Sequence, residues 1–349
     1  MFDLDKITRK NVKNLIAYSS ARDEFTGEAK VFLDANELPF DTGYNRYPDP
    51  FQIKVKKAIS SVKSVPEQQI FLGNGSDEVI DLLFRAFCEP GRSNVIALPP
   101  TYGMYKVSAG INDVTVKEVR LTEDYQVDLE GVRNTIDSDT RLIFVCSPNN
   151  PTGNLVHPEA IIELLKTVDG IVVVDEAYID FSDQQSFNQQ LSDFPNLFVL
   201  QTFSKAWGMA GIRLGIGYAS EEIVSVLNKI KPPYNINSAT QQLILDRIKD
   251  KSKVDQQVEQ ILKERERIKE ELNSSAFPTV EKVYPSDANF LLVKFTANAK
   301  NIYDQLISEE IVVRDRSRVV LCDDCLRISI GSKEENDLLI DKLKKIQSI

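Results

Sequence analysis

The sequence is poor in several residues that enzymes commonly use. It has one histidine in 349 residues, His157, in the polar stretch Asn154-Leu155-Val156-His157-Pro158 ahead of a helical pattern. A Ser-His-Asp mechanism or a multi-histidine metal site finds almost no material here, so proton transfer falls to Lys, Asp, Glu or Tyr. Four cysteines in a chain this long make no disulfide framework, which points to a reducing cytoplasm. No apolar run approaches the roughly 20 residues of a membrane span. The opening Met1-Phe2-Asp3-Leu4-Asp5-Lys6 is charged and lacks the apolar core of a signal peptide. Basic charge is in deficit, 42 Lys and Arg against 52 Asp and Glu for a net charge of -10. That balance argues against nucleic acid or an anionic membrane as partner, although a few clustered arginines can still make a local positive pocket.

What is present is ordinary for a soluble globular protein, 42% hydrophobic and 27% charged. A chain of this length exceeds what one core usually holds, so one large and one smaller domain are expected. The reading is an arm over 1–40, a large domain over 41–235, and a linker helix with a small C-terminal domain over 236–349. Residues 51–62 suggest a helix. Another opens at Ser76-Asp77-Glu78, has apolar Val79, Leu82, Leu83, Ala86 and Phe87 at helical spacing, and stops at Pro90-Gly91. Short apolar bursts at 95–98, 142–146, 171–174 and 197–200 alternate with helical patterns, the signature of buried strands in a mostly parallel sheet. A charged periodic segment over 239–272 leads to strands expected at 288–295, 311–314 and 325–330 and a closing helix at 334–346.

In an open α/β sheet the ligand lies at the carboxyl ends of the strands, and the unusual residues collect there. Gly73-Asn74-Gly75-Ser76, Pro99-Pro100-Thr101-Tyr102, Ser147-Pro148-Asn149-Asn150-Pro151-Thr152-Gly153, Asp175-Glu176-Ala177-Tyr178 and Thr202-Phe203-Ser204-Lys205 each follow an apolar burst. Five such ends make one cleft. Lys205 stands out because its segment is poor in other charge, and a desolvated lysine near a second cation, here Arg213, loses its proton and attacks carbonyls. Asp175 follows four apolar residues, where an unpaired carboxylate is costly; a helix N-cap is the plainer reading of it. Enzymes that use pyridoxal phosphate (PLP) pair a Schiff-base lysine with an Asp or Arg at the pyridine nitrogen, and Asp175 fits that role. Gly75, Ser76 and Asp77, at a glycine turn entering a helix, combine with Thr202, Ser204 and Arg213 into an anion cup.

The segment Ser204-Lys205-Ala206-Trp207-Gly208-Met209-Ala210-Gly211-Ile212-Arg213-Leu214-Gly215 resembles the lysine motif of fold type I PLP-dependent aminotransferases. Asn150-Pro151-Thr152-Gly153 and Asp175-Glu176-Ala177-Tyr178 match two further signatures of that family in the right order. Asn45-Arg46-Tyr47-Pro48, Pro100-Thr101-Tyr102-Gly103-Met104-Tyr105 and Leu326-Arg327-Ile328-Ser329-Ile330-Gly331 are similar to the histidinol-phosphate aminotransferase family, in the class II subgroup. The likeness runs from about Leu15 to the C-terminus. It implies an α/β fold with a large PLP-binding domain and a smaller α+β domain, and transamination of L-histidinol phosphate with 2-oxoglutarate in histidine biosynthesis.

The resemblance also implies roles. Lys205, Asp175 and Tyr178 are the catalytic set, with Asn150 and Tyr178 on the phenolic oxygen of PLP and Tyr102 stacked on its ring. Tyr47 reaches the cofactor phosphate from the partner subunit of a homodimer. Arg327 holds the acidic group of the substrate, Arg314 and Tyr18 its phosphate, with Asn36 among the substrate positions and Tyr234 joining from the partner. An ordinary ion pair is the alternative for Arg327, and a half-buried aromatic for Tyr102. Three other activities fit the same cofactor residues: an aromatic or broad-specificity aminotransferase, a threonine-phosphate decarboxylase, and a PLP-binding regulator. Cys322-Asp323-Asp324-Cys325 lacks the two further ligands a zinc ion needs, and Asp323-Asp324 reads as a turn beside the substrate strand; no metal is expected.

Overall fold

A computed structural model of the chain describes residues 2–19, 30–296 and 298–347. Seven strands form the larger sheet in the order β1-β7-β6-β5-β4-β2-β3. They are β1 Ile70–Asn74, β2 Asn94–Ala97, β3 Thr115–Glu118, β4 Thr140–Cys146, β5 Ile171–Asp175, β6 Leu197–Thr202 and β7 Leu214–Tyr218. Strands β3, β2, β4, β5 and β6 pair in parallel, and β7 runs against both its neighbours, β6 and β1. The mostly parallel sheet read from the sequence is therefore present, with β7 alone reversed. Strand β5 shows why the apolar bursts lack alternation: Ile171, Val172, Val173 and Val174 are all fully buried because helices cover both faces of the sheet. Val172 and Val174 enter one apolar cluster, Ile171 and Val173 the other.

Strand β7 has glycine where other atoms crowd it. A Cβ on Gly215 would lie 2.3 Å from the backbone carbon of Gly75. Only glycine lets the helix Gly75–Phe87 start so close to the sheet, and that start is a wall of the cleft.

A second, four-stranded antiparallel sheet has the order β10-β11-β9-β8. Its strands are β8 Val280–Val283, β9 Phe290–Phe295, β10 Arg314–Asp315 and β11 Cys325–Ser329. Leu291, Val293, Leu326 and Ile328 pack with the helices Ala299–Ser308 and Lys333–Gln347 in a separate cluster, while Phe290, Leu292 and Cys325 join the core of the larger sheet. The strand period of two thus splits the small sheet into an outer face and a face turned toward the large sheet. The loop after β4 is tied to this unit: Asp287 N donates to Gly153 O at 2.7 Å and Leu155 N to Asp287 Oδ2 at 3.1 Å.

Several elements differ from the sequence reading: β3 and β7 were not among the expected strands, and the strand expected at 311–314 is reduced to β10, Arg314–Asp315. The 239–272 segment is two helices, Ser238–Lys249 and Lys251–Leu272, broken at Asp250, whose N–H turns back to Arg247 O. Strand β8 was not foreseen, since its exposed Glu281 and Lys282 give it little apolar signal. At the other end, the irregular arm begins with two single helical turns, Leu4–Ile7 and Lys10–Lys13, and Ile7 packs into the large-sheet core. Among the described residues no helix is long and apolar enough to cross a membrane.

Candidate active site

The carboxyl ends of β4, β5 and β6 and the start of the helix Gly75–Phe87 enclose a cavity of about 130 Å³. Ser76, Asp77, Tyr102, Asn150, Asp175, Tyr178, Thr202, Ser204, Lys205 and Arg213 all line it. Nine residues from five separate strand ends, and Arg213 from just before β7, are brought into one space.

Its floor is Asp175, the last residue of β5 and only 3% exposed. Tyr105 OH donates to Asp175 Oδ2 at 2.6 Å and Ala177 N to Oδ1 at 3.1 Å. Burial dominates these bonds and pushes the carboxyl up to about 6. A buried carboxylate with that cost is stabilised by a cation set against it from the cavity side. Tyr105 is itself fully buried; its ring stacks on Phe144 at 4.4 Å and meets Tyr102 edge-on at 5.6 Å. The sequence placed Tyr105 in a motif without giving it a role, because nothing local says that a residue three beyond Tyr102 reaches across to β5.

Lys205 stands on the loop after β6, its amine 5.7 Å from the centre of the Tyr178 ring. Among the described residues the amine has no hydrogen bond or ion pair. Water reaches it through the open cavity, yet the protein around it lowers its proton affinity, first by desolvation and then by the charge of Arg327. Arg213, the neighbour expected from the sequence, acts in the same direction but less strongly than Arg327.

The same cavity is lined by an anion cup. Arg213 has a left-handed backbone (φ 56°), and its Nη2 lies 3.7 Å from Asp77 Oδ2. The Thr202 hydroxyl donates to Leu214 O and accepts from Ser204 N, each at 3.1 Å, which leaves Ser204 Oγ turned to the cavity 3.0 Å from Thr202 Oγ1. The first N–H groups of a helix have no partner within it and carry its positive end, so Ser76 and Asp77 present donors here. Gly75 plays another part than the donor expected of it. Its N–H donates to Arg213 O at 2.9 Å, and its own Cβ, were there one, would sit 2.5 Å from Arg213 Nη2. With φ at +76°, Gly75 gives the guanidinium its room.

Tyr102 forms one side, its hydroxyl donating to Asp77 Oδ1 at 3.1 Å. On another, Asn150 Nδ2 lies 3.5 Å from Tyr178 OH, and Arg327 Nη1 donates to Asn150 Oδ1 at 2.5 Å. The Arg327 guanidinium also rests 5.2 Å from the Phe290 ring. Arg314 is the cross-strand partner of Arg327. Neither Arg314 nor Arg327 has a carboxylate partner among the described residues.

Four expected site residues lie elsewhere in the single chain. Tyr18 is 69% exposed. Asn36 and Tyr47 line a different cleft with Arg46 and Asn237. Tyr47 stacks on Tyr234 at 4.5 Å, and neither ring lines the Lys205 cavity. The segment quoted around Tyr18 runs on to Ser20, Ala21 and Arg22, which fall outside the described residues.

The family model for aminotransferase class I and II matches residues 28–343, and the chain belongs to that family. Its fold is that of the fold type I PLP-dependent transferases. The chain is 52% identical over 347 residues to the histidinol-phosphate aminotransferase of Cytophaga hutchinsonii, covering 98% of this chain and 99% of that one. It is 53% identical to the Flavobacterium johnsoniae protein of the same name over 98% of each. Among solved structures, the histidinol-phosphate aminotransferase from Clostridium acetobutylicum superposes with a TM-score of 0.81 at 28% identity, over 88% of this chain and 92% of that one.

Proposed function

We propose that this aminotransferase uses PLP to move the amino group of L-histidinol phosphate to 2-oxoglutarate, giving imidazole acetol phosphate and L-glutamate in histidine biosynthesis in the cytoplasm. The observation that carries the reading is a single cavity lined together by Lys205, whose amine has no partner among the described residues, by the buried Asp175 carboxylate, and by Ser76, Thr202, Ser204 and Arg213. These groups fit the cofactor atom class by atom class. Arg213, Ser204, Ser76 and the helix start suit its phosphate, Asp175 its ring nitrogen, Asn150 and Tyr178 its phenolic oxygen, Tyr102 its ring face, and Lys205 its aldehyde carbon. When bound, PLP supplies an electron-poor ring that accepts the electron pair left behind when the substrate's Cα proton departs.

The chain does the rest. Lys205 would hold the cofactor through its amine and, once freed, would serve as the base that takes the proton from the substrate carbon. Its lowered proton affinity leaves more of it as the free base this task requires. Asp175, costly to ionise alone, keeps the ring nitrogen protonated. Arg327 and Arg314 grip the anionic end of the substrate, with Tyr18 and Asn36 on that side. Tyr47 and Tyr234, stacked together away from their own cavity, reach the partner's site in a homodimer. We place the arm at 1–40, the PLP-binding domain at 41–235 and the small domain at 236–349.

Purified protein given L-histidinol phosphate and 2-oxoglutarate should form glutamate with parallel double-reciprocal lines, since the amino group waits on the enzyme between half-reactions. Intersecting lines would count against this scheme. Faster turnover of phenylalanine would favour the aromatic reading, and carbon dioxide from threonine phosphate without any keto acid the decarboxylase.

A further inference from the structure

Beyond the arginines already assigned to the substrate, Arg316 is unexplained. Residues 314 to 316 lie along β11 so that Arg314 pairs with Arg327 and Asp315 with Leu326, and Arg316 N donates to Cys325 O at 2.9 Å. Directly paired residues share a face, and faces alternate along a strand. Leu326 and Ile328 belong to the outer cluster of the small sheet, while Cys325 enters the core of the large one. Arg314, Arg316 and Arg327 therefore all stand on the inward face, the one that carries Arg327 to Asn150. Asp315, the carboxylate nearest in sequence, is on the other face and accepts from Ser317 N.

Three guanidiniums on one face of two paired strands repel one another, and no ion pair among the described residues offsets them. Arg316 is half-buried, and its Nε is shut off from solvent with no hydrogen-bond partner. Desolvation and the charges of Arg327 and Arg314 pull its proton affinity down to about 10. A chain with a net charge of -10 has ample carboxylates to neutralise such a group, yet among the described residues none pairs with it. An anionic ligand would supply that counter-charge.

We propose that Arg316 is a specificity-determining residue that, with Arg314 and Arg327, forms a three-guanidinium face for a dianionic phosphomonoester. A phosphate monoester near neutral pH carries close to two charges and three acceptor oxygens, so it can engage more than two guanidiniums. A carboxylate has one charge and two oxygens, which Arg327 alone can satisfy in a bidentate contact. The third arginine thus selects the phosphorylated donor. The assignment deepens the proposed function and, for the transamination arm of its test, rests on it.

The test uses PLP-loaded Arg316→Gln and Arg316→Lys proteins, in which the cofactor's own phosphate cup is already filled. For Arg316→Gln, KM for L-histidinol phosphate should rise about ten- to a hundred-fold, the scale of one lost charge-assisted hydrogen bond, with kcat falling much less. The kcat/KM for L-histidinol, the same donor without phosphate, should change by less than about three-fold. Inorganic phosphate, titrated calorimetrically into the holoenzymes, should bind about ten-fold more weakly to Arg316→Gln than to the parent, with Arg316→Lys between them. Equal losses with both donors, or phosphate binding unchanged in a variant of normal melting temperature and PLP absorbance, would overturn the assignment. If the parent protein fails to turn over histidinol phosphate, the proposed function fails, and the phosphate titration still decides the role of Arg316.

Discussion

At the carboxyl end of β5 the polar groups are buried and already bonded to one another, whereas in the small sheet Arg314, Arg327 and Arg316, just beyond β10, share a face with no carboxylate partner among the described residues. Asp175 is held by Tyr105 and Ala177, and Tyr105 is wedged against Phe144. On the other side Arg314 is exposed and Arg316 has a buried donor with no partner among the described residues. The first arrangement suits a group that stays, since its geometry is fixed before anything binds. The second suits a ligand that comes and goes, because a charge left unpaired in the free protein makes the arrival of an anion favourable.

The two regions can be separated by substitution. Lys205→Ala would remove the group proposed above both to hold the cofactor and to move the proton; turnover should fall at least about a thousand-fold and the visible absorbance of bound PLP should vanish. Retained steady-state activity would remove Lys205 from the mechanism and with it the link between the two sides.

Asp175 provides a test confined to the fixed side. In the cofactor-free protein its carboxyl sits at about 6 instead of 3.8, raised by burial. Between about pH 4 and 6 the folded chain then keeps a proton that the unfolded chain has released, so stability falls as pH rises, by on the order of 3 kcal/mol over that window. Glu176, raised by burial from 4.5 to about 7, adds a slope of the same sign slightly higher in pH. Urea melts across pH 4–7 should show Asp175→Asn cutting the slope, and PLP flattening it by setting a cation against Asp175. A slope indifferent to both would mean that Asp175 does not meet the cofactor.

Gly75→Ala acts on the anion cup. The left-handed backbone and the approach of Arg213 Nη2, 2.5 Å from the added Cβ, should weaken PLP binding about ten-fold, read by equilibrium dialysis, while the sheet stays folded. Unchanged affinity would show that Arg213 does not need that position.

Tyr105→Phe is the mildest change. It keeps the stack on Phe144 and deletes the hydroxyl's bond to Asp175, along with its contact to the Cys146 thiol. That bond favours the ionised carboxyl, so its loss raises the proton affinity of Asp175 and moves the acid limb of the activity profile to higher pH, with a loss of about three- to ten-fold at neutral pH. An unshifted limb would reduce Tyr105 to packing.

The fixed side was largely legible beforehand. Asp175, Lys205, Asn150 and Tyr178 each follow an apolar burst, and a parallel sheet gathers such ends whatever the helices between them do. The open side was legible in part. Arg327 and Arg314 came from short motifs, whereas Arg316 was passed over because only cross-strand pairing shows that it shares their face. Tyr105 was missed for a like reason, its partner being 70 residues away. The break at Asp250 escaped because helical periodicity continues on either side of it.

By itself the sequence determined the alternation of buried strands and helices, the strand ends that carry polar residues, and the absence of material for histidine chemistry. Those are properties of neighbours along the chain, set by periodicity and turn chemistry. Tertiary structure alone decided which way each arginine faces, that Gly75 makes space for the Arg213 guanidinium and donates its N–H to Arg213 O, and that Tyr47 and Tyr234 stack away from their own cavity. Each of these depends on segments far apart in the chain meeting across a few ångströms, a distance that local pattern does not encode.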